Sequence, residues 1–213
     1  MTDMPSEPQA VVDYDPQTAL LVVDVQNDFA DPSGGLYVKG GEEVIDPVNV
    51  EVAAAQNAGA TIAYTQDWHP ESTPHFEKDG GIWPVHCVRG TWGAELHPDV
   101  EPEAAAHAPH VRKGANGEDG YSGFTMRDPK TGETTSTELE ALIRERGIER
   151  VVVCGLATDY CVKATALDAT RLGFETAVLL DAIRPVELAN GDGARAIEEM
   201  TAAGVHSWST RMR

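Results

Sequence analysis

Basic residues are scarce in this chain: 16 lysines and arginines stand against 35 aspartates and glutamates, a formal charge of −19 at pH 7. A surface so acidic repels phosphate backbones and anionic headgroups, which excludes nucleic acid and the membrane surface as partners. Cysteine is also sparse. Three cysteines, an odd number without framework spacing, do not make a disulfide scaffold. No apolar run approaches the roughly 18–20 residues of a membrane span. The opening MTDMPSEPQAVVDYDPQ lacks the basic region and apolar stretch of a secretory leader. The expectation is a cytoplasmic protein, with a loose tail over 1–14 and a single domain over 15–213, a length that allows one full core.

What the chain does contain is a set of short, wholly apolar runs. The clearest opens the stretch VVVCGLATDYCV, residues 151–162, where a β-branched run of the kind buried on both faces of a sheet stops at Gly155. A helical pattern follows and closes at Gly173. Cys161 therefore falls in or beside the first turn of a helix, where unpaired amides and the helix dipole favour a thiolate. The run TALLVVDVQNDF delivers Asp24 to a strand end in the same way, at a place where a lone buried carboxylate is costly. Further strands are expected near 61–65, 110–113, 176–180 and 204–208. Helices are expected from Asp46-Pro47, as cap and first turn, to Gly59; from a Thr137–Glu140 capping box to Gly147; and over 192–203. Residues 31–43 are a glycine-rich loop without phosphate-binding spacing, and YSGFTMRDPKTGETT reads as loop. Asp181 reads as a capping residue and His206 as structural. The alternation is that of a three-layer α/β/α domain around a doubly wound, six-stranded, mostly parallel sheet.

Past the second strand comes QDWHPESTPHF, then GIWPVHC. Asp67, His69, His75 and His86 are the ligand types of a borderline divalent metal, with zinc, iron and manganese all admissible. The D-x-H alternation suits extended backbone, where positions i and i+2 point the same way. Cys87 is set aside because adjacent residues rarely face one ion. His97, His107 and His110 are too scattered to join them. A lysine ending HVRKG would ordinarily be a solvated charge, yet Lys113 shares its place in the topology with Asp24, Asp67 and Cys161. All four fall at or just past C-terminal strand ends, where such sheets gather their chemistry. A cysteine beside a carboxylate and a lysine is an activated nucleophile. Asp24 can take its proton, and the bend GLATDYC supplies backbone amides for an oxyanion. That reaches acyl transfer from an amide or ester with a metal nearby, and no substrate.

VVDVQNDF, the D-x-H-x5-H loop, WPVHC, RKG and GLATDYCV, in that order from about Thr18 to Ser209, resemble the cysteine hydrolases of the isochorismatase-like superfamily. Within it they are most similar to the nicotinamidase (pyrazinamidase) branch, which the four-ligand metal loop sets apart. The resemblance implies hydrolysis of nicotinamide, and of pyrazinamide, to the acid and ammonia through a cysteine thioester, in pyridine nucleotide salvage. It implies a triad of Asp24, Lys113 and Cys161, and an oxyanion hole from the amides of Ala157 and Cys161 beside a cis peptide after Leu156. It further implies one divalent ion, zinc first, on Asp67, His69, His75 and His86. Gln26, Phe29, Trp83, Tyr121, Leu156 and Ala157 would form a pocket for a flat aromatic amide, and self-association into a homo-oligomer is expected. Two other readings stay open: an amidohydrolase for carbamoyl or ureido substrates, and a metal-binding protein without catalysis.

Overall fold

The structure, a computed structural model, describes residues 11–211. The chain enters through β1 (Thr18–Val23), a short turn of helix α1 (Asn27–Ala30), α2 (Ile45–Asn57) and β2 (Thr61–Asp67). After a long loop come α3 (Pro102–His107) and β3 (His110–Lys113), then a small hairpin, β4 (Thr125–Arg127) and β5 (Thr134–Ser136). The second half runs α4 (Leu139–Glu145), β6 (Arg150–Leu156), α5 (Lys163–Arg171), β7 (Glu175–Arg184), α6 (Asp192–Ala202) and β8 (His206–Trp208).

Six strands form one sheet in the order β3-β2-β1-β6-β7-β8, and every neighbouring pair runs parallel. Parallel strands need covered faces, and the residues of β1 show how both are covered. Leu20 and Val22 point into a core shared with Val48, Val52 and Ala55 of α2. Ala19, Leu21 and Val23 point into the opposite core, with Leu139 and Ile143 of α4, Ala166 and Ala169 of α5, and Met200 of α6. Each fully buried Val or Leu contributes roughly 1.5–3 kcal/mol relative to an exposed one, so wholly apolar strand runs are what this three-layer arrangement requires. Gly155 admits no side chain: a Cβ there would lie 2.1 Å from the carbonyl oxygen of Val23, and its φ is +109°. The pairing of β6 with β7 slips at the same place, between Val153 and Gly155.

The sheet order reverses between β1 and β6. From β1 the chain winds outward through β2 and β3, then returns to lay β6 on the other side. A crevice opens beyond the carboxyl ends of the strands at such a switch.

Several local expectations are corrected. Residues 125–136 are a two-stranded antiparallel hairpin instead of plain loop. Helix α2 starts at Ile45, so Asp46 lies in its first turn and is not its cap. The Thr137–Glu140 box is not made: Thr137 Oγ1 accepts from the amide of Leu139 two residues on, its own amide donates to the Phe124 carbonyl, and Glu140 pairs with Arg144. β7 runs on past Asp181, whose carboxylate accepts from the amide and hydroxyl of Thr210 and so ties down the C-terminal segment. Of the expected tail over 1–14, residues 1–10 lie outside the described residues. The remainder is packed, with Val12 and Tyr14 buried and Val11 bridging to Ser209. Among the described residues no helix is long and apolar enough to cross a membrane.

Candidate active site

Asp24 follows β1 directly and is fully buried. Its φ of +50° is a left-handed conformation, which costs a non-glycine residue on the order of 1–3 kcal/mol and persists only where the surroundings hold it. Three contacts do so. Its amide donates to the carbonyl of Thr65 at 3.2 Å. Its Oδ1 accepts from Thr65 Oγ1 at 2.6 Å, and its Oδ2 from Lys113 Nζ at 2.6 Å. Lys113 ends β3 and is wholly buried. Its ammonium also meets the carbonyl of Gly120 at 2.6 Å, Asp67 Oδ1 at 2.9 Å and Cys161 Sγ at 3.6 Å. Asp67 ends β2 and stands in register with Lys113. Cys161 comes from beyond β6, on a π-helical turn over Thr158–Val162 that runs into α5. The Cys161 sulfur and carboxylate oxygens of Asp24 and Asp67 all lie within 4.8 Å of one another. The peptide bond between Leu156 and Ala157 is cis, and the Ala157 carbonyl accepts from the amides of Tyr160 and Val162.

One ammonium among two carboxylates and a thiol fixes the electrostatics. Burial alone would strip Lys113 of its proton, but Asp24 and Asp67 hold its pKa well above the ordinary value. Burial also works to raise Asp67, yet Lys113 and the His69 ring prevail, and this carboxylate is held well below its usual range. For Asp24, burial outweighs Lys113 and the pKa is raised, with the Asp67 charge adding to the rise. Burial likewise raises the Cys161 thiol well above its usual value. Lys113 opposes that, and Asp24 and Asp67 reinforce it. The helix start that was expected to favour the thiolate is thus outweighed, and the sulfur rests as a thiol that needs a base. Desolvation and two nearby anions outweigh the helix start and the ammonium, so the ground state is a thiol beside a carboxylate of raised proton affinity.

His69, His75 and His86 converge on the other side of Asp67, each offering a ring nitrogen within 4.8 Å of the others. Asp67 Oδ2 faces this cluster, 3.7 Å from His69 Nε2 and 3.8 Å from His86 Nε2. Burial pushes His86 down to about 4 and also lowers His75, so both rings are neutral at neutral pH and carry a free lone pair. His86 Nδ1 lies 2.8 Å from the carbonyl of Pro84, which makes it the donor and leaves the lone pair of Nε2 free. His69 is fully buried, and neither of its ring nitrogens has a hydrogen-bond partner. A buried orphan imidazole beside two neutral imidazoles and an ionised carboxylate fits a divalent cation, which would satisfy all four at once.

The surroundings hold these groups tightly. Gln26, expected to line the pocket, instead grips the backbone of Asp67: its Nε2 donates to the Asp67 carbonyl and its Oε1 accepts from the Asp67 amide, both at 2.8 Å. Leu156, the other correction, is fully buried in the core. Gly114 follows Lys113 at φ +73°, and a Cβ there would sit 2.7 Å from His69 Cε1 and Nδ1, so only glycine leaves room for the ring. His97, His107 and His110 stand apart; His110 is engaged with Gln66 and the carbonyl of Ala105.

A small, narrow cavity joins the two sides. Of the expected pocket residues, Phe29, Trp83, Tyr121 and Ala157 line it, together with Asp67, His75, His86 and Cys161. Leu36, Tyr160 and Val186 also line it and were not foreseen. Tyr160 had a signal, its position next to Cys161. Leu36 lies in the glycine-rich loop 31–43, which reads as a loop near a site without naming a residue, and Val186 had no signal. Trp83 Nε1 donates to the Tyr121 hydroxyl at 2.9 Å, and Tyr160 meets the Trp83 ring edge-on at 4.8 Å. The result is a flat, apolar slot with a thiol on one side and imidazoles on the other.

The isochorismatase domain family matches residues 18–211 of the chain. The nicotinamidase of Escherichia coli (strain K12) is 38% identical over 205 residues, which cover 89% of this chain and 93% of that protein. The crystal structure of the pyrazinamidase of Pyrococcus horikoshii in complex with zinc superposes with a TM-score of 0.77 at 40% identity, covering 91% of this chain and 99% of that one. The yeast nicotinamidase bound to the inhibitor nicotinaldehyde gives a TM-score of 0.82 at 31% identity, covering 91% and 100%.

Proposed function

The chain belongs to the isochorismatase family, and from that premise we propose that it is a nicotinamidase that hydrolyses nicotinamide, and pyrazinamide, to the carboxylic acid and ammonia. One observation carries the reading. The Asp24–Lys113–Cys161 cluster and the three-histidine cluster open onto the same narrow aromatic slot, connected through Asp67. A thiol alone would serve any amidohydrolase of this fold. The imidazoles beside it call for a substrate with a metal-binding atom opposite its amide, as a pyridine or pyrazine carboxamide has.

Asp67, His69, His75 and His86 would hold the divalent ion, zinc by analogy with the Pyrococcus relative. When bound, it supplies a Lewis-acid anchor for the ring nitrogen. Phe29, Trp83 and Tyr121 flank the ring and exclude water. Asp24 takes the proton of Cys161 as sulfur bonds to the amide carbon, and its raised pKa suits it to that task. The carbonyl electron pair moves to oxygen, where the amides of Ala157 and Cys161 receive it. Asp24 returns the proton to the amide nitrogen, the carbon–nitrogen bond breaks and ammonia leaves. Water then adds to the thioester with Asp24 again as base, releasing the acid and restoring the thiol. Throughout, Lys113 keeps its proton and offsets the charge of the two carboxylates.

The test is ammonia release from nicotinamide by the purified protein, before chelation, after it, and after zinc is added back. Turnover that falls on chelation and returns with metal is expected. A folded, zinc-loaded protein that releases no ammonia would sink the nicotinamidase reading, and carbamoyl and ureido amides would be the next substrates to try.

A further inference from the structure

The loop after Lys113 places three successive residues against three separate parts of the site. Tyr121 receives the indole hydrogen bond of Trp83, and the Gly120 carbonyl receives the Lys113 ammonium. Asp119, the first of the three, has no place in the reaction described above. Its Oδ1 lies 3.0 Å from His75 Nδ1. A carboxylate in that position only accepts, so Nδ1 must carry the ring hydrogen and Nε2 is left with its lone pair free.

Among the described residues nothing else competes for this carboxylate at hydrogen-bond distance. The nearest cation, Arg127, approaches its Oδ2 only to 4.0 Å with an exposed side chain. The backbone of Asp119 is itself braced. Its amide donates to the Arg127 carbonyl at 2.7 Å and its carbonyl accepts from the Arg127 amide at 3.0 Å, an isolated antiparallel bridge onto the β4–β5 hairpin. The hairpin thus holds Asp119, and Asp119 holds the ring. His86 obtains the same service from the backbone carbonyl of Pro84, whereas His69 has no such partner.

We propose that Asp119 is a positioning residue for metal binding, fixing the tautomer and orientation of His75 so that Nε2 faces the site. The proposal rests on the metal reading given above. Carboxylate partners of ligating histidines orient the ring and raise its basicity, and removing one typically weakens metal affinity by roughly 10- to 100-fold.

The experiment is chelator competition for zinc on the parent, Asp119→Asn, Asp119→Ala and His75→Ala proteins, with the visible spectrum of each cobalt-loaded form. The expected order of affinity is parent, then Asn, which keeps an acceptor oxygen, then Ala, weaker than the parent by roughly 10- to 100-fold. The cobalt bands of the Ala protein should shift, while the unfolding temperature of its metal-free form stays that of the parent. If the parent and His75→Ala both take up no zinc, the metal reading falls and this inference falls with it. If the parent binds one zinc and Asp119→Ala binds it equally well with an unchanged cobalt spectrum, this inference alone is overturned. Should the Ala protein not fold, the Asn protein decides: affinity below the parent supports the role of Asp119, and equal affinity overturns it.

Discussion

Asp24, Lys113 and Cys161 stand just beyond or at the ends of β1, β3 and β6, whereas His69, His75 and His86 stand on residues 68–90, which carry only one short 3-10 turn. The first group is placed by the sheet. Once β2 lies between β1 and β3 in register, Lys113 must emerge beside Asp67 and within reach of Asp24. The second group is placed by single contacts. The amide of His69 donates to the Cys87 carbonyl and its carbonyl accepts from Arg89, each at 2.9 Å. Cys87, at φ +46°, has its amide held by Asp28 Oδ2 at 2.6 Å. The thiol side is therefore placed by the sheet, and the imidazole side depends on a few individual hydrogen bonds.

The ammonium that neutralises both Asp24 and the shared Asp67 gives the largest expected effect. Lys113→Ala leaves Asp24 and Asp67 buried without a counter-charge, and breaking a buried pair in this way costs about 3–5 kcal/mol. Chemical denaturation should show that loss, with catalysis and metal binding both impaired. A denaturation midpoint equal to that of the parent would show that the two halves do not share this charge.

Single-sided changes should separate the halves. Cys161→Ala is expected to abolish ammonia release while zinc still binds one per chain, and His69→Ala to lose zinc while Cys161 still reacts with a small alkylating reagent. Substantial activity in Cys161→Ala would refute the nucleophile assignment. Loss of zinc in the same protein would mean that the two sides are not independent.

Gly114→Ala is the smallest of these changes. A left-handed backbone costs alanine roughly 1–2 kcal/mol, and the new methyl group would press on His69. Zinc affinity should fall by more than thiol reactivity does. An equal fall in both would place the damage in β3 instead of in the ring.

The same contrast governs what could be read from the sequence. Strand ends were legible because burial on both faces forces runs such as 19–23 and 151–154 to be wholly apolar, and the residue that ends each run is then visible. Asp67 and the three histidines were legible by residue type and spacing. Gln26 was misplaced because a glutamine next to a catalytic strand end looks the same whether it faces a ligand or, as here, a neighbouring backbone. The β4–β5 hairpin escaped notice since its strands have three residues each, β5 wholly exposed and β4 at most half-buried, with no apolar alternation. Asp181 read as a cap because its partner, Thr210, is 29 residues away. The helix start, Lys113 and Asp24 were all legible around the thiol, but the weight of desolvation against them is visible only in the assembled site.

The three cysteines differ in one respect that matters at the bench. Cys161 borders the cavity at 6% exposure, while Cys87 and Cys154 are at 0% and do not border it. An intact molecule thus offers a reagent a single sulfur, and an unfolded one offers three. The mass gained on alkylation becomes a census of the population: one adduct per native chain, three per denatured chain, and none on a native chain whose slot is already filled.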